Sequence, residues 1–290
     1  MKKLITIFIL LFNIAYSKNC TVAPFILNYT INSNIDKLSY ISDIKQNYKK
    51  LKHLCVNLLA FREGALRWKM LLVTNPKREH GVFWFLPHDN ENSAFNSAVY
   101  AVSKYGGGFL AVVNNNKRYN AGQDPNRNFS YSRVKICKEQ IAPSPIYTNI
   151  VFSIIDYYKG ASMPYLALHN NTNGGGISIL KSSSKVKSYL AYPKSQIIDG
   201  KGLQDEDNLV YMAGLQKTPP SSLYKLLKAG MSVKYEIVNS INNDCSMSNF
   251  VVLEKGTNNY FNIETQRRQS WVQKEMIDRV IKLIIDNWKF

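Results

Sequence analysis

Residues 82–86 constrain the fold more than any other part of the sequence, because all five are apolar. A short apolar run without alternation is typical of a strand that is buried on both faces of a sheet. The run ends at Pro87, and His88 and Glu91 follow at positions i and i+3. Side chains with this spacing can point to one place from a single backbone turn. An imidazole and a carboxylate at that place suit a borderline cation such as zinc.

The rest of the chain alternates between strand-like and helix-like segments. Apolar runs predict strands at residues 55–60, 66–73, 82–86, 109–113, 165–168, 177–180, 235–238, 250–253 and 260–263. Helical spacing of apolar residues predicts helices at 35–53, 94–102, 145–158, 223–229 and 272–288, while 114–130 and 183–208 are polar and predict loops. This order predicts an α/β fold with a mixed, mostly parallel twisted sheet and helices on both faces. No internal repeat or linker is evident, so we expect a single domain at residues 18–290.

The N-terminus has the pattern of an export signal. Two lysines precede an apolar segment at residues 4–15, which is too short for an ordinary membrane span. The run Ala15-Tyr16-Ser17 then fits the small-x-small rule for cleavage. We therefore predict a signal peptide at residues 1–17 and export of the mature chain to the periplasm or cell envelope. An uncleaved N-terminal anchor is the alternative interpretation.

Four cysteines remain after the predicted cleavage: Cys20, Cys55, Cys137 and Cys245. An even number of thiols in an oxidising compartment predicts two disulfides. The sequence leaves all three pairings open. No pair has the C-x-x-C spacing, so neither a cysteine metal site nor a redox motif is predicted.

The chain is strongly basic, with a formal net charge of +17. Removing the two lysines of the predicted signal peptide leaves +15 for the mature chain. A basic exported protein is attracted to polyanionic surfaces, so we expect peripheral contact with an anionic cell envelope. Nucleic acid is not expected as a partner outside the cytoplasm. A solvated surface without a specific partner explains the charge equally well, and the sequence does not indicate an oligomeric state.

Two further polar residues, His169 and Glu264, each follow a predicted strand. In open α/β sheets, ligands bind at the carboxyl ends of the strands. His88, Glu91 and His169 would give one zinc ion three protein ligands and leave a fourth position for water, which is the catalytic arrangement. Glu264 would then act as the general base.

A polar loop adds two guanidinium groups, Arg118 and Arg127. One guanidinium can hold the terminal carboxylate of a peptide through two parallel hydrogen bonds. The other can stabilise the oxyanion that forms on an attacked carbonyl. Surface charges on a basic protein are the alternative explanation for this pair.

Taken together, these motifs resemble those of the zinc metallocarboxypeptidase superfamily of the carboxypeptidase A type. That family has, in order, H-x-x-E, R-x-N-x-x-G-x-D-x-N-R-N-F, a histidine at a strand end and a glutamate before a threonine. This chain has His88-x-x-Glu91, the loop 118–129 with its glycine one place early, His169, and Glu264-Thr265. The resemblance covers most of the mature chain and is greatest to the bacterial peptidoglycan L,D-carboxypeptidases.

The resemblance implies a carboxypeptidase-like fold and a role for each residue of the motifs. It implies the same zinc ligands and the same general base as above. It also implies that Asn126 and Arg127 bind the terminal carboxylate of the substrate, and that Arg118 polarises the scissile carbonyl.

Three parts of the family pattern differ in this chain. The family usually has glycines around H-x-x-E, whereas this chain has Pro87-His88-Asp89-Asn90-Glu91. The family has a tyrosine that closes over the substrate, but the corresponding region here holds Asn242 and Asn243, so Tyr211 or Tyr235 would have to replace it. Residues 246–249, which should contact the C-terminal side chain of the substrate, contain no aspartate or arginine. This favours a small or neutral side chain at that position.

An exported protein with such a site would meet the peptides of peptidoglycan. Our first hypothesis is a zinc carboxypeptidase that removes the terminal D-Ala from the tetrapeptide stem, an L,D-carboxypeptidase reaction. The enzyme alternatives are a general exported carboxypeptidase for L-peptides, a peptidoglycan endopeptidase and an amidohydrolase of the aspartoacylase type. The alternative without catalysis is a cell-wall binding module with a degenerate site.

Overall fold

A computed structural model of the protein describes residues 20, 22–192 and 196–287. The predicted signal peptide at residues 1–17 therefore lies outside the described residues. The strands are β1 (Thr30–Asn32), β2 (Cys55–Glu63), β3 (Leu66–Thr74), β4 (Phe83–Leu86), β5 (Gly108–Val112), β6 (Tyr165–Asn171), β7 (Val186–Tyr189), β8 (Leu209–Gly214), β9 (Val233–Ile237) and β10 (Tyr260–Gln266). The α-helices are α1 (Ser42–Leu51), α2 (Asn92–Tyr105), α3 (Pro145–Tyr158), α4 (Ser221–Lys228), α5 (Met247–Leu253) and α6 (Ser270–Asn287).

The strands form one sheet, in the order β1-β2-β3-β5-β4-β6-β10-β8-β9-β7. Neighbours are parallel at β4–β5, β4–β6, β6–β10 and β8–β9, and antiparallel at β1–β2, β2–β3, β3–β5, β8–β10 and β7–β9. The sheet is therefore mixed, and the prediction of a mostly parallel sheet is wrong. One reason lies between β2 and β3, where only Gly64 and Ala65 connect the strands. So short a connection can join only antiparallel strands.

The side chains of β4 alternate between the two faces of the sheet. Trp84 and Leu86 belong to the core beneath α1, α2, α4 and α6, whereas Phe83 and Phe85 belong to the core beneath α3 and α5. All four side chains are buried, which confirms the prediction of a strand covered on both faces. Burial of each side chain stabilises the fold by on the order of 1.5–3 kcal/mol. The loop that follows β4 therefore begins at a well-packed strand.

Some short segments differ from their predictions. Residues 250–253 belong to helix α5 rather than to a strand, because Ser246 caps the helix by accepting a hydrogen bond from the backbone N–H of Asn249. Residues 177–180 form no strand, and the segment 183–208, predicted as loop, contains β7. An apolar run of about four residues does not distinguish a strand from a buried turn or helix.

Strands β6 and β10 extend beyond the two site residues that were predicted to follow them. His169 lies within β6 and Glu264 within β10, and the two residues are direct partners in the parallel pairing. Partners on neighbouring strands lie on the same face of a sheet, about 4.8 Å apart. Sheet pairing, rather than a loop, therefore places both side chains.

Two disulfides confirm the prediction from the cysteine count. They join Cys20 to Cys55 and Cys137 to Cys245, which selects one of the three open pairings. Such bridges are compatible with export, since disulfides persist in oxidising compartments. Across residues 22–192 and 196–287, no helix combines the length and the apolar character required to cross a bilayer.

Glu63 stabilises the first turn of α3. Its carboxylate accepts hydrogen bonds from the backbone N–H groups of Ile146 at 2.6 Å and Tyr147 at 3.0 Å. We expect Glu63→Ala to lower the free energy of unfolding by about 1–2 kcal/mol, because both amides lose their acceptor. Urea unfolding would measure the loss, with the exposed Glu254→Ala as the control. Equal free energies of unfolding in the two variants would contradict this role of Glu63.

Candidate metal centre

The loop after β4 and the strand β6 bring three metal-ligating side chains together. His88 Nδ1 lies 2.8 Å from Glu91 Oε1, and His169 Nδ1 lies 3.3 Å from Glu91 Oε2. Because β4 and β6 are neighbours, the loop that carries His88 and Glu91 begins beside the strand that carries His169. The three ligand atoms lie within 4.8 Å of one another, and all three residues are buried. This group of nitrogen and oxygen donors is compatible with a metal ion.

The carboxylate of Glu91 is stabilised in its charged form. Burial alone raises the pKa of Glu91, but His88 and His169 outweigh burial and hold this pKa well below its usual range. The backbone N–H of Asn170 also donates to Glu91 Oε2 at 2.9 Å. A buried carboxylate needs such partners, because its charge is costly away from water.

Asp124 orients the ring of His88, a role that the sequence analysis did not assign. His88 Nε2 lies 2.9 Å from Asp124 Oδ1. Since an ionised carboxylate only accepts hydrogen bonds, Asp124 holds a proton on Nε2, and Nδ1, which faces Glu91, is the ring atom that would ligate a metal ion. Burial raises the pKa of Asp124, but His88 and Arg118 outweigh burial and keep the carboxylate charged. The signal was present in the sequence, because Asp124 is the aspartate of the motif at 118–129.

His169 carries a ring nitrogen that no described residue satisfies. Its Nε2 is buried and has no hydrogen-bond partner within residues 22–192 and 196–287. Gln273 donates to the backbone oxygen of His169 at 2.9 Å, which helps to hold this part of β6. An unpaired buried polar atom in a native fold needs an explanation, and a metal ion or a polar substrate group beside this ring would supply one. Together with the donor set, this makes the three residues compatible with a divalent metal ion.

Glu264 lies beside the ligand group and is buried. Asn262 Nδ2 donates to Glu264 Oε1 at 2.8 Å. Burial raises the pKa of Glu264 above its usual value, and although His169 opposes this rise, the nearby charge of Glu91 adds to it. A carboxylate with a raised pKa is suited to accepting a proton near neutral pH.

Arg118 contacts the ligand group directly. Its Nη1 lies 3.1 Å from Glu91 Oε1, and its Nη2 lies 3.2 Å from Asp124 Oδ2. These two contacts hold the guanidinium between Glu91, a candidate metal ligand, and Asp124, which orients His88. Positive charge in this position can stabilise negative charge that develops next to the metal site.

Asn126 and Arg127 lie on one short 3-10 turn, and we call these two residues the carboxylate clamp after their predicted role. Asp124 begins the turn by accepting a hydrogen bond from the backbone N–H of Asn126. Asn126 Oδ1 accepts from the backbone N–H of Met247 at 3.1 Å, which leaves its NH₂ group as a donor. Arg127 Nε lies 3.3 Å from Asp244 Oδ2.

The disulfide between Cys137 and Cys245 supports the segment next to the carboxylate clamp. The backbone N–H of Phe129 donates to the backbone oxygen of Cys245 at 2.9 Å. Cys245 has a left-handed φ of 58°, which is uncommon for a residue with a Cβ and needs support from the surrounding structure. The bridge and the hydrogen bond together fix Asp244 and Ser246 relative to the loop that carries the clamp.

One cavity of about 320 Å³ brings the predicted site residues together. Those that line it are His88, Arg118, Asn126, Arg127, His169 and Glu264. The seventh predicted residue, Glu91, contacts both histidines. Of the two tyrosines considered above, Tyr211 lines the cavity, whereas the hydroxyl of Tyr235 is used elsewhere and donates to the backbone oxygen of Gln216 at 3.0 Å.

Comparisons with known proteins find solved structures of low similarity. No family model matches the chain, and no curated protein matches it. A solved structure from Shewanella amazonensis SB2B, described as a "putative metallopeptidase", is 14% identical with a TM-score of 0.47 and covers 87% of this chain and 93% of its own. A metallo-carboxypeptidase from Burkholderia cenocepacia is 12% identical with a TM-score of 0.46, covering 86% of this chain and 69% of its own. Because the similarity is this low, we base the function on the residues of the site.

Asp124→Asn tests whether Asp124 prepares His88 for metal binding. Asparagine keeps the size of the side chain but removes the charge that holds the proton on His88 Nε2. We expect zinc affinity to fall by about 10–100-fold, as is usual when the partner of a ligating histidine is lost. Competition with a chelator would measure the affinity, with the exposed Asp199→Asn as the control. Unchanged affinity in Asp124→Asn would show that the contact does not support the ligand.

Proposed function

We propose that the protein is an exported zinc carboxypeptidase that acts on the stem peptides of peptidoglycan. The observation that carries the proposal is the shared cavity, which both histidines of the ligand group and the carboxylate clamp line. A metal-ligating group alone would suit many hydrolases. Here the carboxylate clamp, which can donate hydrogen bonds to a terminal carboxylate, lies beside that group. This favours cleavage at the end of a peptide chain.

The donor set favours zinc. Two imidazoles and one carboxylate are the protein ligands of well-known catalytic zinc sites. A bound zinc ion supplies an activated water and polarises the carbonyl under attack. His88, Glu91 and His169 would hold the ion, and Asp124 would keep a proton on His88 Nε2 so that Nδ1 can ligate.

Glu264 moves the proton in this reaction. Its place in β10, paired with His169, puts a carboxylate beside the ligand group. It takes a proton from the attacking water and delivers that proton to the amine that leaves. Asn262 engages Oε1 of Glu264 and so restrains the orientation of the carboxylate.

The carboxylate clamp makes the reaction specific for the last residue of the substrate. The guanidinium of Arg127 and the NH₂ group of Asn126 each donate to the terminal carboxylate. Arg118 donates to the scissile carbonyl oxygen as its negative charge develops. Tyr211, which lines the same cavity, is the candidate for the tyrosine that contacts bound substrate.

Peptidoglycan is the proposed substrate because the chain has features of an exported protein. The predicted signal peptide and the two disulfides support a location where stem peptides occur. The sequence favours the release of D-Ala from the tetrapeptide. The reason is that residues 246–249 carry no charge, which favours a small neutral C-terminal residue. Charged groups from other segments also line this pocket, and they bear on which residue is released.

Digestion of muropeptides by the zinc-loaded mature chain tests the proposal. We expect mass spectrometry to show the loss of one C-terminal amino acid, blocked by a chelator and restored by zinc. Cleavage of L-peptides without cleavage of muropeptides would support a general carboxypeptidase instead. Cleavage at a cross-link would indicate an endopeptidase, and the absence of both zinc and hydrolysis would favour a binding module.

Glu264→Gln separates proton transfer from metal binding. Glutamine keeps the shape of the side chain but cannot accept the proton, so turnover should fall by about 10²–10⁴-fold while zinc stays bound. By contrast, His169→Ala should lose the metal, because it removes a ligand. Steady-state kinetics and elemental analysis would measure both effects. Normal turnover in Glu264→Gln would exclude Glu264 from the mechanism.

A further inference from the structure

A polar face of the sheet, formed by β10, β8 and β9, lines part of the cavity. Asn262 pairs with Tyr211, and Tyr211 pairs with Lys234, so the three residues form one row. Glu236 follows two residues after Lys234 and lies on the same face, because side chains alternate along a strand. These four residues line the cavity together with Arg127.

Neutral donors hold the carboxylate of Glu236. Asn249 Nδ2 donates to its Oε1 at 3.1 Å, and Ser248 Oγ donates to its Oε2 at 3.3 Å. The hydroxyl of Tyr211 also hydrogen bonds to it. In the ranges 22–192 and 196–287, none of the ion pairs involves Glu236. These donors stabilise the charged form of the carboxylate without supplying an opposite charge.

The lysine on the same strand does not neutralise Glu236. Lys234 Nζ donates to the backbone oxygen of Ser178 at 2.6 Å, so its amine is engaged with another segment. Burial lowers the pKa of Lys234, and the charge of Lys181 lowers it further. The charge that acts on Lys234 is therefore that of Lys181 rather than that of Glu236.

Arg127, the positive group of the clamp, is already paired with Asp244. Burial raises the pKa of Glu236 and the charge of Asp244 raises it further, while the hydrogen bonds from Asn249, Tyr211 and Ser248 lower it. Besides Asp244, the carboxylates of Glu139 and Glu236 act on the single guanidinium of Arg127, so acidic groups outnumber it at this end of the cavity. A substrate carboxylate on Arg127 adds a further negative charge. Because unpaired charge is costly in a partly buried space, the bound substrate should bring a positive charge with it.

We propose that Glu236 is a specificity-determining residue that binds a cationic group on the side chain of the substrate's C-terminal residue. The proposal rests on the proposed function, because it takes the carboxylate clamp to hold that same residue. A primary amine or a guanidinium would meet the carboxylate of Glu236 in a charge-assisted hydrogen bond. The preferred substrates therefore end in a basic residue rather than in a small neutral one.

This proposal revises the expectation drawn from residues 246–249. Those residues carry no charge, which favoured a small or neutral C-terminal side chain. In the structure, Ser248 and Asn249 donate hydrogen bonds to the carboxylate of Glu236, so this pocket does contain an ionisable group. The charged group comes from β9, a strand that lies outside the family motifs.

Binding of free amino acids tests the proposal without any reaction. Lysine and norleucine have side chains of equal carbon number and differ in the terminal amine. We expect the zinc-loaded mature chain to bind lysine at least about tenfold more tightly than norleucine in one of the two enantiomeric series, by titration calorimetry. Equal affinity for lysine and norleucine in both the L and the D series would overturn the proposal.

Kinetics with a matched pair of variants then tests the assignment to Glu236. Blocked dipeptides that end in lysine or norleucine should differ in kcat/KM by about tenfold in the wild type, mainly through KM. Glu236→Gln, which keeps the side-chain volume, should bring this ratio close to one while the norleucine peptide is still cleaved. The exposed Glu254→Gln should leave the ratio unchanged. A lysine preference that persists in Glu236→Gln would overturn the assignment.

These outcomes separate the failure of this proposal from the failure of the proposed function. If lysine binds preferentially through Glu236 but no peptide is hydrolysed, the role of Glu236 in binding a cation is supported and the carboxypeptidase function is rejected. Equal hydrolysis of the lysine and norleucine peptides would retain the carboxypeptidase and reject the role of Glu236.

Discussion

A buried carboxylate between two imidazole rings is the constraint on which the rest of the site depends. Glu91 must be charged to ligate a cation, and a charge inside a fold is stable only beside polar or positive partners. These partners come from separate elements: His88 from the loop after β4, His169 from β6, and Arg118 from the loop after β5. Strands β5, β4 and β6 are direct neighbours. The order of strands therefore decides where the ligand group assembles.

Asp124 connects the ligand group to the carboxylate clamp. Its side chain contacts His88 and Arg118, and it also caps the turn that carries Asn126 and Arg127. The side chain of Asp124 thus helps to position three groups: the ring of His88, the guanidinium of Arg118 and the turn that carries the clamp. If the clamp binds the chain end as proposed, a single short segment fixes the distance between that chain end and the metal site.

The sequence predicted the ligand group far better than the pocket beside it. The motif residues His88, Glu91 and His169 follow or lie in strongly apolar strands, so both their existence and their convergence could be predicted. Strand direction could not, because an apolar run has the same pattern in parallel and antiparallel pairs. Glu236 was missed for a related reason, since a single polar residue in an alternating strand is typical of a solvated face. Only the pairing of β8 with β9 shows that this face lines the cavity.

The disulfide between Cys137 and Cys245 links the carboxylate clamp to the compartment in which the chain resides. If the chain is exported as proposed, this bridge forms only after the chain has left the cytoplasm, where thiols stay reduced. Until then, the left-handed backbone at Cys245 and the adjoining Asp244 lack their covalent support. The enzyme would therefore mature where wall peptides are displayed, and cytoplasmic precursors that carry the same stem peptides would be spared.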